Sequence, residues 1–292
     1  LPFPFNQRWG LGIWNLLFRP GGVFKPDPAH DAKWNRGAYL VTSRAHCGAC
    51  HTQRGLAYAE RGYDGTSKNF LAGGVIESQF APELRQDAAS GLGRWSEEDI
   101  AAFLKTGHAK GVGAFANMKE FVEDSGQYIT DGDLRAIAHY LKSLPAANKD
   151  TAYAAPADPA REMREILAAD HQRPGAGIYL SACASCHGQA GGGKGALIPR
   201  LAGNPAVLSV NPGSLIFIVL EGGTTPKTKD SAAAKSMPGF AGKLTDGQVA
   251  DVLSFIRTSW GNQASRVSAR NVDLTRRAMK KDPKTKANGQ KQ

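Results

Sequence analysis

The sequence has 292 residues and a formal net charge of +10, with 41% hydrophobic and 21% charged residues. This length suits two domains of ordinary size, and the composition is that of a globular protein. The longest apolar run, residues 215–220, is far shorter than the roughly 18 residues that a membrane-spanning helix needs. The sequence therefore excludes a helical membrane span.

The positive charge is concentrated in one segment. Residues 266–292 carry nine Lys or Arg and two Asp or Glu, which gives +7 of the total +10. The rest of the sequence has no basic patch interleaved with aromatic residues, the pattern typical of a nucleic-acid interface. We therefore expect no nucleic-acid partner. Hydrophobic periodicity is lost over residues 263–292, which predicts a solvated basic tail.

Residues 1–36 form a predicted N-terminal arm. An apolar stretch from Trp9 to Phe18, followed by Pro20-Gly21-Gly22, predicts a short amphipathic helix. Two interpretations are open: the helix packs on the following domain, or it provides a docking surface for a partner. We favour packing, because large apolar side chains are usually buried.

The first predicted module, residues 37–148, contains the pentapeptide Cys47-Gly48-Ala49-Cys50-His51. On a helix, positions i, i+3 and i+4 share one face. Two thiols and an imidazole at this spacing indicate covalent c-type haem attachment. Cys47 and Cys50 would bind the vinyl groups, and His51 would bind the iron.

Two later helices of this module are predicted from N-terminal capping motifs. Ser96 precedes one helix, which Gly107 can close, and Thr130 precedes the other. Hydrophobic residues recur at helical spacing after Thr130. The module is therefore expected to be helical.

Three other interpretations of the cysteines are a zinc site, a redox dithiol and a disulfide. A zinc site would have to combine two cysteine pairs from separate segments. A thioredoxin-like dithiol needs a strand–helix context, whereas these surroundings are predicted to be helical. The pattern occurs again at Cys183-Ala184-Ser185-Cys186-His187, and the two copies use all four cysteines. We therefore predict two haem c groups, the second attached to Cys183 and Cys186 and bound by His187.

An Ala/Pro-rich linker is predicted over residues 149–172, with a short polar helix inside it. The second module, residues 173–262, repeats landmarks of the first. Gly177-Ile178-Tyr179 echoes Gly37-Ala38-Tyr39, and Thr245-Asp246-Gly247 echoes Thr130-Asp131-Gly132. Such self-similarity indicates one unit used twice. The predicted fold is all-α, with two haem domains in tandem.

Each iron needs a second axial ligand or keeps an open coordination position. Met118 and Met237 fall between a Gly-closed helix and the final helix of their modules, so we predict them as the ligands. His108 is the rival for the first iron. A carbonyl at Pro199, and by repeat at Pro82, is predicted to accept the Nδ1–H of the proximal histidine.

With these residues in place, the sequence resembles the multihaem cytochrome c subunits of membrane-associated alcohol, aldehyde and sugar-acid dehydrogenases, which usually have three haem modules. Two segments resemble the middle module of that family: Trp34-Asn35-Arg36-Gly37-Ala38-Tyr39-Leu40-Val41 and His46-Cys47-Gly48-Ala49-Cys50-His51-Thr52. Three others resemble the last module: Leu201-Ala202-Gly203-Asn204-Pro205, Met237-Pro238-Gly239-Phe240 and Ile256-Arg257-Thr258-Ser259-Trp260-Gly261-Asn262-Gln263. The resemblance implies two class I cytochrome c-like domains. It also implies electron transfer from a dehydrogenase catalytic subunit to quinone or another cytochrome.

The leading hypothesis is a dihaem electron carrier that is not an enzyme by itself and has no catalytic residues. Its expected partners are a dehydrogenase catalytic subunit and a downstream quinone, cytochrome or oxidase; peripheral membrane association is left open. The alternative is a dihaem redox enzyme of the peroxidase type, with one labile axial ligand. The expected location is the periplasm. The sequence starts without a signal-peptide pattern, so this expectation assumes a signal that was removed or lies upstream.

Overall fold

The computed structural model describes residues 6–18, 22–77, 79–147, 154, 158–168, 173–195, 197–231 and 234–281. Within these ranges the regular secondary structure is mainly helical, as predicted, and the chain forms two modules with separate cores. Half of the predicted linker and the last residues of the predicted tail lie outside the described ranges. No helix in the described part is long and apolar enough to cross a membrane.

Six α-helices come from the arm and the first module. They are α1 (Trp9–Phe18), α2 (Ala32–Tyr39), α3 (Gly48–His51), α4 (Glu97–Thr106), α5 (Asn117–Asp124) and α6 (Asp131–Ser143). A π-helix continues α2 over Leu40–Arg44, and a 3₁₀ turn covers Gly126–Tyr128. The later helices are α7 (Pro159–Ala168), α8 (Ala176–Ala182), α9 (Ala184–His187), α10 (Pro205–Leu208), α11 (Gly213–Glu221), α12 (Asp246–Arg257) and α13 (Ala269–Lys281).

The strands of the described ranges form three short antiparallel hairpins. They pair β1 (Gly74–Ile76) with β2 (Gln79–Ala81), β3 (His108–Ala109) with β4 (Val112–Gly113), and β5 (Gly223–Thr224) with β6 (Ser236–Met237). Each hairpin lies between the pentapeptide and the last long helix of the repeated unit. Pro82 directly follows β2, and Met237 lies on β6.

The predicted helix starts and stop of the first module are confirmed. Ser96 caps α4 in a reciprocal capping box with Asp99, and Gly107 ends α4 at a φ of +77°. The Thr130 side chain accepts a hydrogen bond from the Asp133 backbone N–H at the start of α6. These caps satisfy backbone groups that a helix end leaves unpaired.

A close crossing of α2 and α6 organises the first core. A Cβ atom on Gly37 would lie 2.0 Å from the Ala136 carbonyl oxygen, so only glycine allows this approach. In the second module, Gly175 has the matching contact: a Cβ atom added to Gly175 would lie 2.2 Å from the backbone carbonyl oxygen of Asp251. Gly177 meets no atom within 4 Å. Gly175, rather than Gly177, therefore makes the contact in the second module that corresponds to that of Gly37.

We expect Gly37→Ala to destabilise the first module strongly. The added methyl group meets backbone rather than a movable side chain, so α2 and α6 must separate. Overpacking of this kind costs roughly 3 kcal/mol. Urea denaturation of the purified protein measures the loss, with Gly177→Ala as the matched control that should change little. Equal effects of the two substitutions would contradict this packing.

Helix α12 is the centre of the second core, and its last residue is a buried arginine. The Arg257 guanidinium is fully buried and donates to the carbonyl oxygens of Val207 (2.7 Å), Ser209 (2.9 Å) and Ser265 (2.7 Å). Burial lowers the pKa of Arg257 to about 10, so the side chain stays charged at neutral pH. This cation holds three chain segments together where the Ile256–Gln263 sequence passes through the core.

The prediction of a solvated tail is wrong for residues 269–281. These residues form α13, which packs on α11 and α12. Val272 is fully buried and Met279 is 7% exposed. The two residues lie seven positions apart and share a helix face, while Arg276 donates to the Asp246 carboxylate at 2.9 Å. The sequence did not reveal this helix because its apolar stripe, Val272 and Met279, is narrow and its other residues are strongly basic.

Helix α7, which the sequence assigned to the linker, packs on the second module. Met163 is 2% exposed and belongs to the second core. The Glu162 carboxylate accepts a hydrogen bond from the Trp260 backbone N–H at 2.7 Å and pairs with Arg173. The linker predicted over residues 149–172 is therefore too long at its C-terminal side.

Helix α1 contacts the first module along one edge only. The Trp14 indole N–H donates to the Ala57 carbonyl at 2.7 Å, and the Phe18 carbonyl accepts from the Tyr63 hydroxyl. No residue of α1 is buried. Most of its large apolar side chains are exposed: Trp9, Leu11, Ile13, Leu16 and Leu17. The packing interpretation therefore applies to the part of α1 that contacts the first module. The exposed apolar side chains of α1 form a surface that faces solvent.

Candidate haem sites

The first pentapeptide is positioned by the end of α2. The π-helix closes with a hydrogen bond from the Ala45 N–H to the Leu40 carbonyl at 2.8 Å, and the chain then turns at His46, whose φ is +36°. The His51 N–H donates to the Cys47 carbonyl at 2.9 Å. One helical turn therefore puts the two thiols and the imidazole on the same side, as the spacing predicted.

A cavity of about 350 Å³ is lined by this turn. Cys47, Cys50, His51, Pro82 and Met118 all contribute to its wall. Most other lining side chains are apolar, among them Phe80, Leu84, Leu92, Trp95, Ile100, Phe103, Leu104, Phe121, Ile137 and Leu141. The structure thus brings the five first-module residues of the predicted site to one apolar cavity.

The rival ligand His108 does not line this cavity. Its ring lies on β3 at the boundary between the modules and hydrogen bonds to the backbone of Pro226. Burial lowers the pKa of His108, and the hydrogen bond partly offsets this effect. Of the two alternatives for the first iron, the geometry therefore favours Met118.

The His51 imidazole is held through one nitrogen. Its Nδ1 lies 2.7 Å from the Pro82 carbonyl oxygen, so Nδ1 carries the proton and donates. Burial lowers the pKa of His51, with the Pro82 hydrogen bond acting in the opposite direction. The imidazole is therefore neutral at pH 7, and the lone pair of Nε2 is free to bind a metal.

The second module repeats this arrangement. The His187 Nδ1 lies 2.9 Å from the Pro199 carbonyl oxygen, and burial lowers the pKa of His187. Met237 lies on β6, opposite Gly223. Met237 and Cys183 both pack against the second core, which places the predicted thioether ligand and one predicted attachment thiol around the same apolar cluster.

Cys47 and Cys183, the first cysteine of each pentapeptide, are protonated at neutral pH. Burial raises the pKa of Cys47 to about 12 and that of Cys183 to about 11, whereas zinc ligands and redox dithiols act as thiolates. The residues that the structure describes contain no group of three or more His, Cys, Asp or Glu suited to a metal ion. In the first pentapeptide, Cys47 and Cys50 beside an apolar cavity fit a covalently attached haem.

Part of the first cavity wall was missed by sequence reasoning. It comes from the second module, namely Pro205, Ala206, Ser209, Asn211 and Ser214. A contact between modules could not be predicted from the local sequence, because these five residues are equally typical of the start of a helix. The wall of the first cavity is therefore formed by both modules together.

Comparison with known proteins decides the family. The family model described as cytochrome c matches residues 35–145 and 172–260, which include both pentapeptides and more than half of the chain. The chain belongs to the cytochrome c family. The resemblance that the sequence suggested is thereby confirmed.

This cytochrome c is similar to cytochrome subunits of several dehydrogenases. It is 44% identical over 270 residues to the protein named alcohol dehydrogenase (quinone), cytochrome c subunit, of Gluconacetobacter polyoxogenes, covering 90% of this chain and 57% of the relative. It is 40% identical over 284 residues to the gluconate 2-dehydrogenase cytochrome c subunit of Pantoea cypripedii, covering 95% and 64%. The fructose dehydrogenase cytochrome subunit of Gluconobacter japonicus is 35% identical over 306 residues, covering 98% and 61%. The chain thus spans about three fifths of the length of these relatives.

Proposed function

We propose that this cytochrome carries electrons from a dehydrogenase catalytic subunit to a quinone or to a downstream cytochrome or oxidase. The single observation that supports this most is the first cavity, where His51 and Met118 line the same apolar space as the two attachment cysteines. A bound haem c supplies a one-electron iron couple. His51 and Met118 would hold the iron from the protein side, and the haem would then transfer electrons without binding a substrate.

The second module supports the same assignment. We assign Cys183 and Cys186 to haem attachment, and His187 and Met237 to the iron, because the His187–Pro199 hydrogen bond repeats the His51–Pro82 bond. In both modules the proline carbonyl would orient the imidazole and increase its electron donation to the metal. Two haem c groups with His/Met ligation give a carrier and not a catalyst.

The partner and the location follow from the relatives and from the attachment chemistry. The relatives are named as cytochrome subunits of alcohol, gluconate and fructose dehydrogenases, so we assign this chain to a complex of the same kind. Its catalytic subunit would select the substrate. We place the complex in the periplasm, where the exposed apolar face of α1 could bind a partner subunit or the membrane surface.

Spectroscopy of the purified holoprotein tests the ligation on which this function depends. Mass spectrometry should find two covalent haems, and low-temperature EPR should find only low-spin iron. A thioether–iron charge-transfer band should be present for both haems. A high-spin ferric signal together with turnover of hydrogen peroxide would contradict the proposal and favour a peroxidase-type enzyme.

A further inference from the structure

The hairpin β1–β2 joins the first proximal histidine to the second module. The Ser214 hydroxyl, near the start of α11, accepts a hydrogen bond from the Phe80 N–H at 2.8 Å and donates to the Phe80 carbonyl at 2.8 Å. Two residues after Phe80, the Pro82 carbonyl accepts the hydrogen bond from His51. One side chain of the second module therefore holds both backbone groups of Phe80, two residues before the residue whose carbonyl accepts from His51.

The reverse connection is also present. The Arg200 N–H, directly after Pro199, donates to the Gly111 carbonyl of the first module at 2.8 Å. A Cβ atom on Gly113 would lie 3.0 Å from the Pro199 ring, so the β3–β4 hairpin packs on this proline. Pro82 and Pro199, whose carbonyls accept from His51 and His187, thus both lie within two residues of a hydrogen bond that joins the modules.

We propose that Ser214 is a positioning residue for His51, so that the reduction potential of the first haem depends on docking of the second module. The inference rests on the proposed His/Met ligation. Phe80 lies on a short two-stranded hairpin, and among the described residues no further strand pairs with the outer edge of β2. The Ser214 hydroxyl pairs with the backbone N–H and C=O of Phe80 on this edge. It thereby fixes the position of the Pro82 carbonyl.

The direction of the effect follows from the chemistry of the imidazole. A carbonyl that accepts the Nδ1–H increases electron donation from Nε2 to iron, which stabilises the ferric state and lowers the potential. Loss of the Ser214 hydroxyl frees the β2 edge and weakens the bond from His51 to Pro82. The potential of the first haem should then rise, while the second haem keeps its potential because the His187–Pro199 bond is untouched.

The test compares three variants of the holoprotein by spectroelectrochemical titration and EPR. Ser214→Ala should raise one potential and shift one set of g values. Ser214→Thr, which keeps the hydroxyl, should show the wild-type potential and the wild-type g values. Ser181→Ala is the control, because the Ser181 hydroxyl bonds only within its own module, to Gly177 and Ile178. The haem that changes in Met118→Ala identifies the first site.

Two outcomes would overturn the inference: unchanged potentials in Ser214→Ala at wild-type circular dichroism, or equal shifts of both haems. An equal shift would mean that Ser214 only joins the modules. These outcomes are separable from failure of the proposed function, which would already be visible in the wild-type protein as missing low-spin His/Met spectra.

Discussion

Met237→Ala should abolish the thioether–iron charge-transfer band of one haem and lower its reduction potential, and Met118→Ala should do the same to the other. A thioether opposite an imidazole favours ferrous iron, so its loss stabilises the ferric state. Near-infrared spectra and redox titration measure both effects. Met118 lines the first cavity, and Met237 packs on the second core, as Cys183 does.

The control for these two substitutions is Met163, which we do not assign to either iron. Met163 is 2% exposed in the second core, on α7, so Met163→Leu keeps the volume and should leave both bands unchanged. If Met118→Ala leaves both haems unchanged, another group is the ligand. His108→Ala then tests the rival directly, and we expect it to alter neither spectrum.

Removal of α13 should destabilise the second module. Truncation after Ser268 exposes the surface that Val272 and Met279 cover and deletes the hydrogen bond from Arg276 to Asp246. Two buried apolar side chains of this size stabilise a fold by roughly 4 kcal/mol in total. Chemical denaturation followed by circular dichroism and haem absorbance measures the loss.

Truncation after Lys281 is the matched control, because it retains every residue of α13 while also removing basic residues. We expect this shorter truncation to keep wild-type stability. Wild-type stability after truncation at Ser268 would mean that the packing of α13 contributes nothing to the fold. The comparison thus separates the helix from the charge of the segment.

Local signals predicted a large part of the first module. The Ser96 capping box and the left-handed Gly107 are confirmed at the ends of α4, because such signals act through hydrogen bonds within a few residues. The Cys47–His51 spacing correctly placed three side chains at one cavity. The expected Pro82 and Pro199 hydrogen bonds are also present, whereas their roles toward a haem remain predictions.

Features that depend on packing were not predictable from local pattern. Helix α13 has only a narrow apolar stripe, although Ser268 and Asn271 form reciprocal hydrogen bonds at its start that the sequence could have suggested. The sequence pairs Gly177 with Gly37 as a repeated landmark, whereas the close approach to the last long helix of the second module is made by Gly175. The Ser214–Phe80 contact joins residues 134 positions apart.

The most direct test of the central claim is stopped-flow reduction of the haem bands. The purified cytochrome should show no reduction when mixed with an alcohol, aldehyde or sugar alone. It should be reduced rapidly once the cognate dehydrogenase catalytic subunit and its substrate are both present. Substrate-dependent reduction of this chain alone, free of contaminating dehydrogenase, would contradict the electron-carrier account and favour an enzyme with its own substrate site.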